Sequence, residues 1–69
     1  MKMYKMTLGR VVAKIPSKQD VIVREYLTGL IQEHANAEEI CRRLDYMQET
    51  RNANVYGISY EDNAIVIDI

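Results

Sequence analysis

The sequence predicts a small α+β domain in the order β-α-α-β-β, with a three-stranded sheet and two helices on one face, spanning residues 1–69 as a single unit. Three observations lead there. Apolar residues alternate at both ends of the chain, at Tyr4, Met6 and Leu8 and again at Tyr56, Ile58, Tyr60, Ile65, Ile67 and Ile69. The middle carries apolar stripes at helical spacing. Two capping signatures, Ser17 to Asp20 and Asn36 to Glu39, stand where helices would begin.

From Tyr4 to Ile15 the period of two holds on either side of Gly9-Arg10 but changes phase across it. A bulge with Gly9 as its left-handed residue restores one apolar face and leaves Lys5, Thr7, Arg10, Val12 and Lys14 on the other. The alternative is an extra hairpin in which Gly9-Arg10 is a tight turn. Pro16 ends the strand, and Ser17 caps a helix whose stripe is Val23, Tyr26, Leu27, Leu30, Ile31 and His34, with Asp20 four residues before Arg24.

The second helix begins at Asn36-Ala37-Glu38-Glu39 and places Ile40, Leu44 and Met47 inward, with Ala37 and Cys41 at the shoulder. Two helices joined at His34 to Asn36 is the first choice. Positions 23, 26, 30, 37, 40, 44 and 47 also fit one heptad register interrupted only by Glu33. A single helix over 18–50 would be about 50 Å long and would need a partner chain to bury its seam. At the end of the chain, a two-residue Asp62-Asn63 loop pairs Glu61 with Ala64, Tyr60 with Ile65, Ile58 with Ile67 and Tyr56 with Ile69. The opposite sheet face then shows Lys5, Thr7, Arg10, Val12 and Lys14 beside Val55, Gly57, Ser59, Ala64, Val66 and Asp68, half apolar and open. With so small a core, that face and the last strand predict a homodimer, with Val66, Ile67 and Ile69 at its interface.

With 48% hydrophobic residues and a net charge of −1, the chain reads as a globule rather than a disordered segment. The lone Cys41 excludes an intramolecular disulfide, which points to a reducing, cytoplasmic setting. No stretch has the length or apolarity of a membrane span or a signal peptide, so no membrane partner is expected. The charge is unevenly spread. Residues 1–24 hold six cations against Asp20, a net of +5, and residues 25–69 hold three arginines against nine acids, a net of −6. Attraction within the fold is the simpler reading, and a basic surface for an anionic partner the sharper one.

The inventory for chemistry is thin: one histidine, one cysteine, no tryptophan and no glycine-rich phosphate loop. Ser17 serves as a cap and Ser59 lies in a strand, neither with an evident base, so no enzyme is expected. His34, Glu38, Cys41 and Asp45 are spaced four, three and four apart, but align only on an unbroken helix, and one helix face cannot wrap a tetrahedral ion. No metal or other cofactor is expected. Cys41 reads as a packed residue. Arg42 and Arg43 read as solvated helix surface because Glu38 and Glu39 stand four residues before them. Tyr4, Tyr56 and Tyr60 fall on the core face, Tyr26 in the first helical stripe, and Tyr46 alone reads as exposed.

The function expected is that of a small non-enzymatic protein-binding module, a regulator, inhibitor or assembly subunit, acting as a homodimer. Lys5, Arg10, Lys14, Arg42, Arg43 and Tyr46 are the candidate partner-binding residues. The alternative is a nucleic-acid-binding module using Lys2, Lys5, Arg10, Lys14 and Lys18, a reading weakened by the overall acidity.

Overall fold

The computed structural model describes residues 6–69. The chain is α+β, as the pattern predicts, but with three helices and a four-stranded mixed sheet. In order, the elements are α1 (Leu8–Ala13), β1 (Asp20–Arg24), β2 (Ile31–Asn36), α2 (Ala37–Leu44), α3 (Gln48–Arg51), β3 (Gly57–Glu61) and β4 (Ala64–Asp68). The strands lie in the order β2-β1-β4-β3. The pairs β1–β2 and β3–β4 are antiparallel hairpins, joined by parallel pairing of β1 with β4.

The first segment is a helix, not a strand, and the reason lies in the phase change at Gly9-Arg10. Leu8, Val11, Val12 and Ile15 are spaced three, one and three apart, which is one face of a helix. Leu8 and Val12 are buried on that face, with Val11 and Ile15 packed beside them. Neither a bulge nor a hairpin forms there. Gly9 lets the helix approach α3, because a Cβ at this position would stand 2.7 Å from Cγ of Arg51.

The predicted helix after Ser17 is replaced by the β1–β2 hairpin. Val21, Ile22 and Val23 form a β-branched run that packs better on a pleated sheet than around a helix. Gly29 then takes a left-handed φ of +75°, where a side chain would be strained, and closes the turn. With strand at His34 and helix only from Ala37, the single long helix is absent as well. In the second half the start of α2 and the last hairpin follow the sequence, whereas α2 ends at Leu44, before Met47, and the short α3 is an addition. Asn36 caps α2 by accepting a hydrogen bond from Glu39 N–H at 2.8 Å. Asp62 and Asn63 both adopt positive φ, 50° and 64°, and set the register Glu61–Ala64, Tyr60–Ile65, Ile58–Ile67.

All three helices lie on one side. Leu8 and Val12 of α1 and Ala37, Ile40 and Leu44 of α2 close over Val21, Val23 and Ile67 of the central strands, forming the buried core. Leu44→Ala should therefore lower stability by about 2–5 kcal/mol, whereas Leu27→Ala, in the exposed β1–β2 turn, should change it by less than about 0.5 kcal/mol. Urea unfolding followed by circular dichroism checks both.

Candidate functional site

The helices cover one face of the sheet and leave the other uncovered. On the uncovered face Ile22, Ala64 and Val66 form an apolar floor, with Ile31 beside them, in a shallow concavity of about 280 Å³. Ala64 and Val66 are nonetheless buried by their neighbours, since side chains of adjacent strands stand close on a sheet face. At one end Arg24 Nε donates to Asp68 Oδ1 at 2.8 Å across the parallel pair, and this bond holds the guanidinium pKa above its usual value. At the other end His34 Nε2 lies 2.9 Å from Asp20 Oδ2, so the ring presents its Nε2–H to the carboxylate. Glu61 and Asp62 complete an acidic rim. In volume the concavity lies at the lower limit of small-molecule pockets, and Arg24 and His34 at its two ends are already engaged by Asp68 and Asp20.

Past Arg24 the sheet ends in the β1–β2 turn, where the surface becomes apolar. The turn is tightly specified: Glu25 N–H donates to Leu30 O, Gly29 N–H to Glu25 O, and Leu30 N–H to the Thr28 hydroxyl oxygen at 3.2 Å. Tyr26 N–H donates to Ile69 O, and its ring stacks on Tyr56 with centroids 5.3 Å apart. Leu27, Leu30 and Ile31 are left 89%, 63% and 60% exposed. This ordered cluster of Tyr26, Leu27, Leu30, Ile31 and Tyr56 is the feature that the sequence reading placed inside the fold. A helical stripe made Leu27 and Leu30 inward; the turn points them out.

The predicted partner-binding residues are dispersed. Arg10 on α1 and Lys14, which caps its C-terminal end, are both exposed, and Lys5 lies outside the described residues. Arg42 pairs with Glu39 at 3.1 Å and Glu38 at 3.6 Å, and Arg43 with Glu33 at 2.9 Å and Glu39 at 3.6 Å. The hydrogen bond to Glu33 raises the pKa of Arg43. Tyr46 is exposed beyond the end of α2, distant in sequence from the turn cluster. Tyr56 and Tyr60, expected in the core, stand exposed at the margin of the sheet. The predicted dimer residues lie elsewhere than at an edge: β4 runs between β1 and β3 and has no free edge, Val66 and Ile67 are buried, and Ile69 is partly buried.

Among the described residues no cluster of three His, Cys, Asp or Glu side chains is arranged to hold a metal ion, because His34 sits in a strand and turns to Asp20. No helix among them is long and apolar enough to cross a membrane. No family model, curated protein or solved structure matches this chain.

Cys41 is half-buried against the core, and burial, assisted by the nearby Asp45 carboxylate, pushes its thiol pKa up. A raised pKa leaves less thiolate at pH 8. Disulfide exchange with Ellman's reagent should therefore run several-fold slower in the folded protein than in urea, and equal rates would contradict that environment.

Proposed function

We propose that the chain is a small non-enzymatic protein-binding module, a regulator, inhibitor or assembly subunit, whose contact surface is the apolar end of the β1–β2 hairpin. The observation that carries this reading is the exposure of Leu27 and Leu30, in a turn held by three hydrogen bonds, and of Ile31 where β2 leaves it. Contiguous apolar exposure on a small domain marks an interaction surface, because it gains nothing for the isolated fold. An ordered turn also loses little conformational freedom on binding. The stacked Tyr26 and Tyr56 supply rigid aromatic area beside it, the residue type enriched where partners dock.

A nucleic-acid role for Arg10, Lys14 and Lys18 is the competing reading. It draws support from their exposure, and against it stand the overall acidity of the chain and the carboxylates of Asp20, Glu61 and Asp62 around the uncovered sheet face.

Replacing Leu27 and Leu30 with aspartate tests the proposal, since neither side chain supports the core. The wild-type protein should retain a stoichiometric protein partner from its source-cell extract at high salt. The double variant should lose it while keeping the wild-type circular dichroism spectrum and melting temperature. Retention of the same partner by the variant would sink the reading. Binding to oligonucleotides that vanishes at high salt and ignores the two substitutions would move the function to the basic residues.

A further inference from the structure

The arginines of the chain stand at positions 10, 24, 42, 43 and 51. Arg24, Arg42 and Arg43 are neutralised within the fold, by Asp68 at 2.8 Å, Glu39 at 3.1 Å and Glu33 at 2.9 Å. The other two are not. Arg10 pairs with no carboxylate among the described residues, and Arg51 has only Asp45 Oδ1 at 3.9 Å, the outer limit of an ion pair. These two line one cleft. Where α1 meets α3, a hollow of about 270 Å³ has Thr7, Gly9, Arg10, Arg51 and Asn52 in its walls and no acid among its lining residues. Asp45 belongs instead to a neighbouring hollow, with Cys41 and Leu44, which Arg51 also borders. Gly9 sets where Arg51 lies. A Cβ there would come within 2.7 Å of Arg51 Cγ and 3.3 Å of its Nε, so the arginine stem runs along bare backbone of α1, one residue from Arg10. The Thr7 side chain makes no capping bond, and its hydroxyl and the Asn52 amide add neutral donors to the two guanidinium groups.

We propose that this cleft binds the phosphoryl group of a small phosphomonoester. Two cations lining one hollow repel each other unless an anion lies between them. Charge and shape select the anion. A phosphomonoester carries close to two negative charges at neutral pH and three terminal oxygens, which match two planar guanidinium forks. A carboxylate balances only one of the two cations, and a phosphodiester, with one charge per phosphate, matches the pair less well. The cleft admits the phosphoryl group and the atoms next to it, so the rest of the ligand extends into solvent. None of these residues belongs to the Leu27–Leu30 turn, and the site stands or falls separately from the protein-binding reading.

Titration of isotope-labelled protein with inorganic phosphate, followed by amide NMR, tests it. The pH is held at about 7.5, where the phosphate is mostly dianionic, and the ionic strength is kept constant with sodium chloride. The backbone amides of Gly9, Arg10 and Asn52 should shift to saturation with a dissociation constant on the order of millimolar. Arg10→Gln, at an exposed position outside the core, should weaken binding about tenfold or more. Arg42→Gln removes the same charge from a guanidinium already held by Glu38 and Glu39 and should leave binding unchanged. No shift beyond that given by sodium chloride overturns the proposal, as does acetate binding as tightly as phosphate. An Arg10→Gln variant that binds like the wild type overturns it, and so does equal weakening in the two variants, which marks bulk charge alone. An oligonucleotide without terminal phosphates that binds the same amides more tightly than phosphate also overturns it, and assigns the cleft to a nucleic-acid backbone.

Discussion

Val21, Ile22 and Val23 lie directly against Ile65, Val66 and Ile67 in the parallel pairing of β1 with β4, and every other element is placed by that contact. Each hairpin alone is a two-stranded ribbon, marginal in water. Joined, they make a sheet wide enough for α1 and α2 to cover, and the covered side chains Val21, Val23 and Ile67 sit at the junction itself. Polar groups seal both ends of the seam. Arg24 bonds Asp68 at one end, and Gln19 Nε2 donates to Asn63 O at the other. The charge imbalance between the two parts of the sequence is therefore used in part within the fold, because Arg24 belongs to the basic part and Asp68 to the acidic one.

The seam also decides which surfaces remain. With β1 and β4 central, the strand richest in apolar residues is enclosed, and the edges fall to β2 and β3. The helices meet the side carrying Val21 and Val23, so Ile22 and Val66 floor an uncovered face whose rim is acidic. The hairpin turn projects beyond the reach of the helices with its leucines outward. The arrangement thus leaves an apolar turn at one end of the sheet, apart from the carboxylates that rim the uncovered face.

Legibility in the sequence was uneven for physical reasons. The last hairpin was readable because Asp62 and Asn63 tolerate positive φ and the alternation on either side admits one register. The start of α2 was readable because Asn36 has a specific bond to make. The first third was not. Leu8, Val11, Val12 and Ile15 satisfy a period of two with one interruption as well as a period of 3.6, and the strand reading required an insertion that the helix does not. Val23, Tyr26, Leu27, Leu30, Ile31 and His34 happen to fall at helical spacing, but the β-branched run Val21-Ile22-Val23 and the left-handed Gly29 were the stronger local signals. That error hid the apolar turn, since a helical stripe counts Leu27 and Leu30 as core. Tyr46 was legible as exposed because it stands off the stripe formed by Ile40 and Leu44.

A sheet dry on one side only has a thermodynamic signature. Unfolding a chain of this length raises the heat capacity by about 0.8–1.0 kcal/mol/K on average, and the part of the sheet already in contact with water adds little to that change. The curve of stability against temperature is correspondingly broad and shallow. Modest maximal stability then coexists with a melting point that shifts by several degrees for each small change in packing, and cooling costs the fold little.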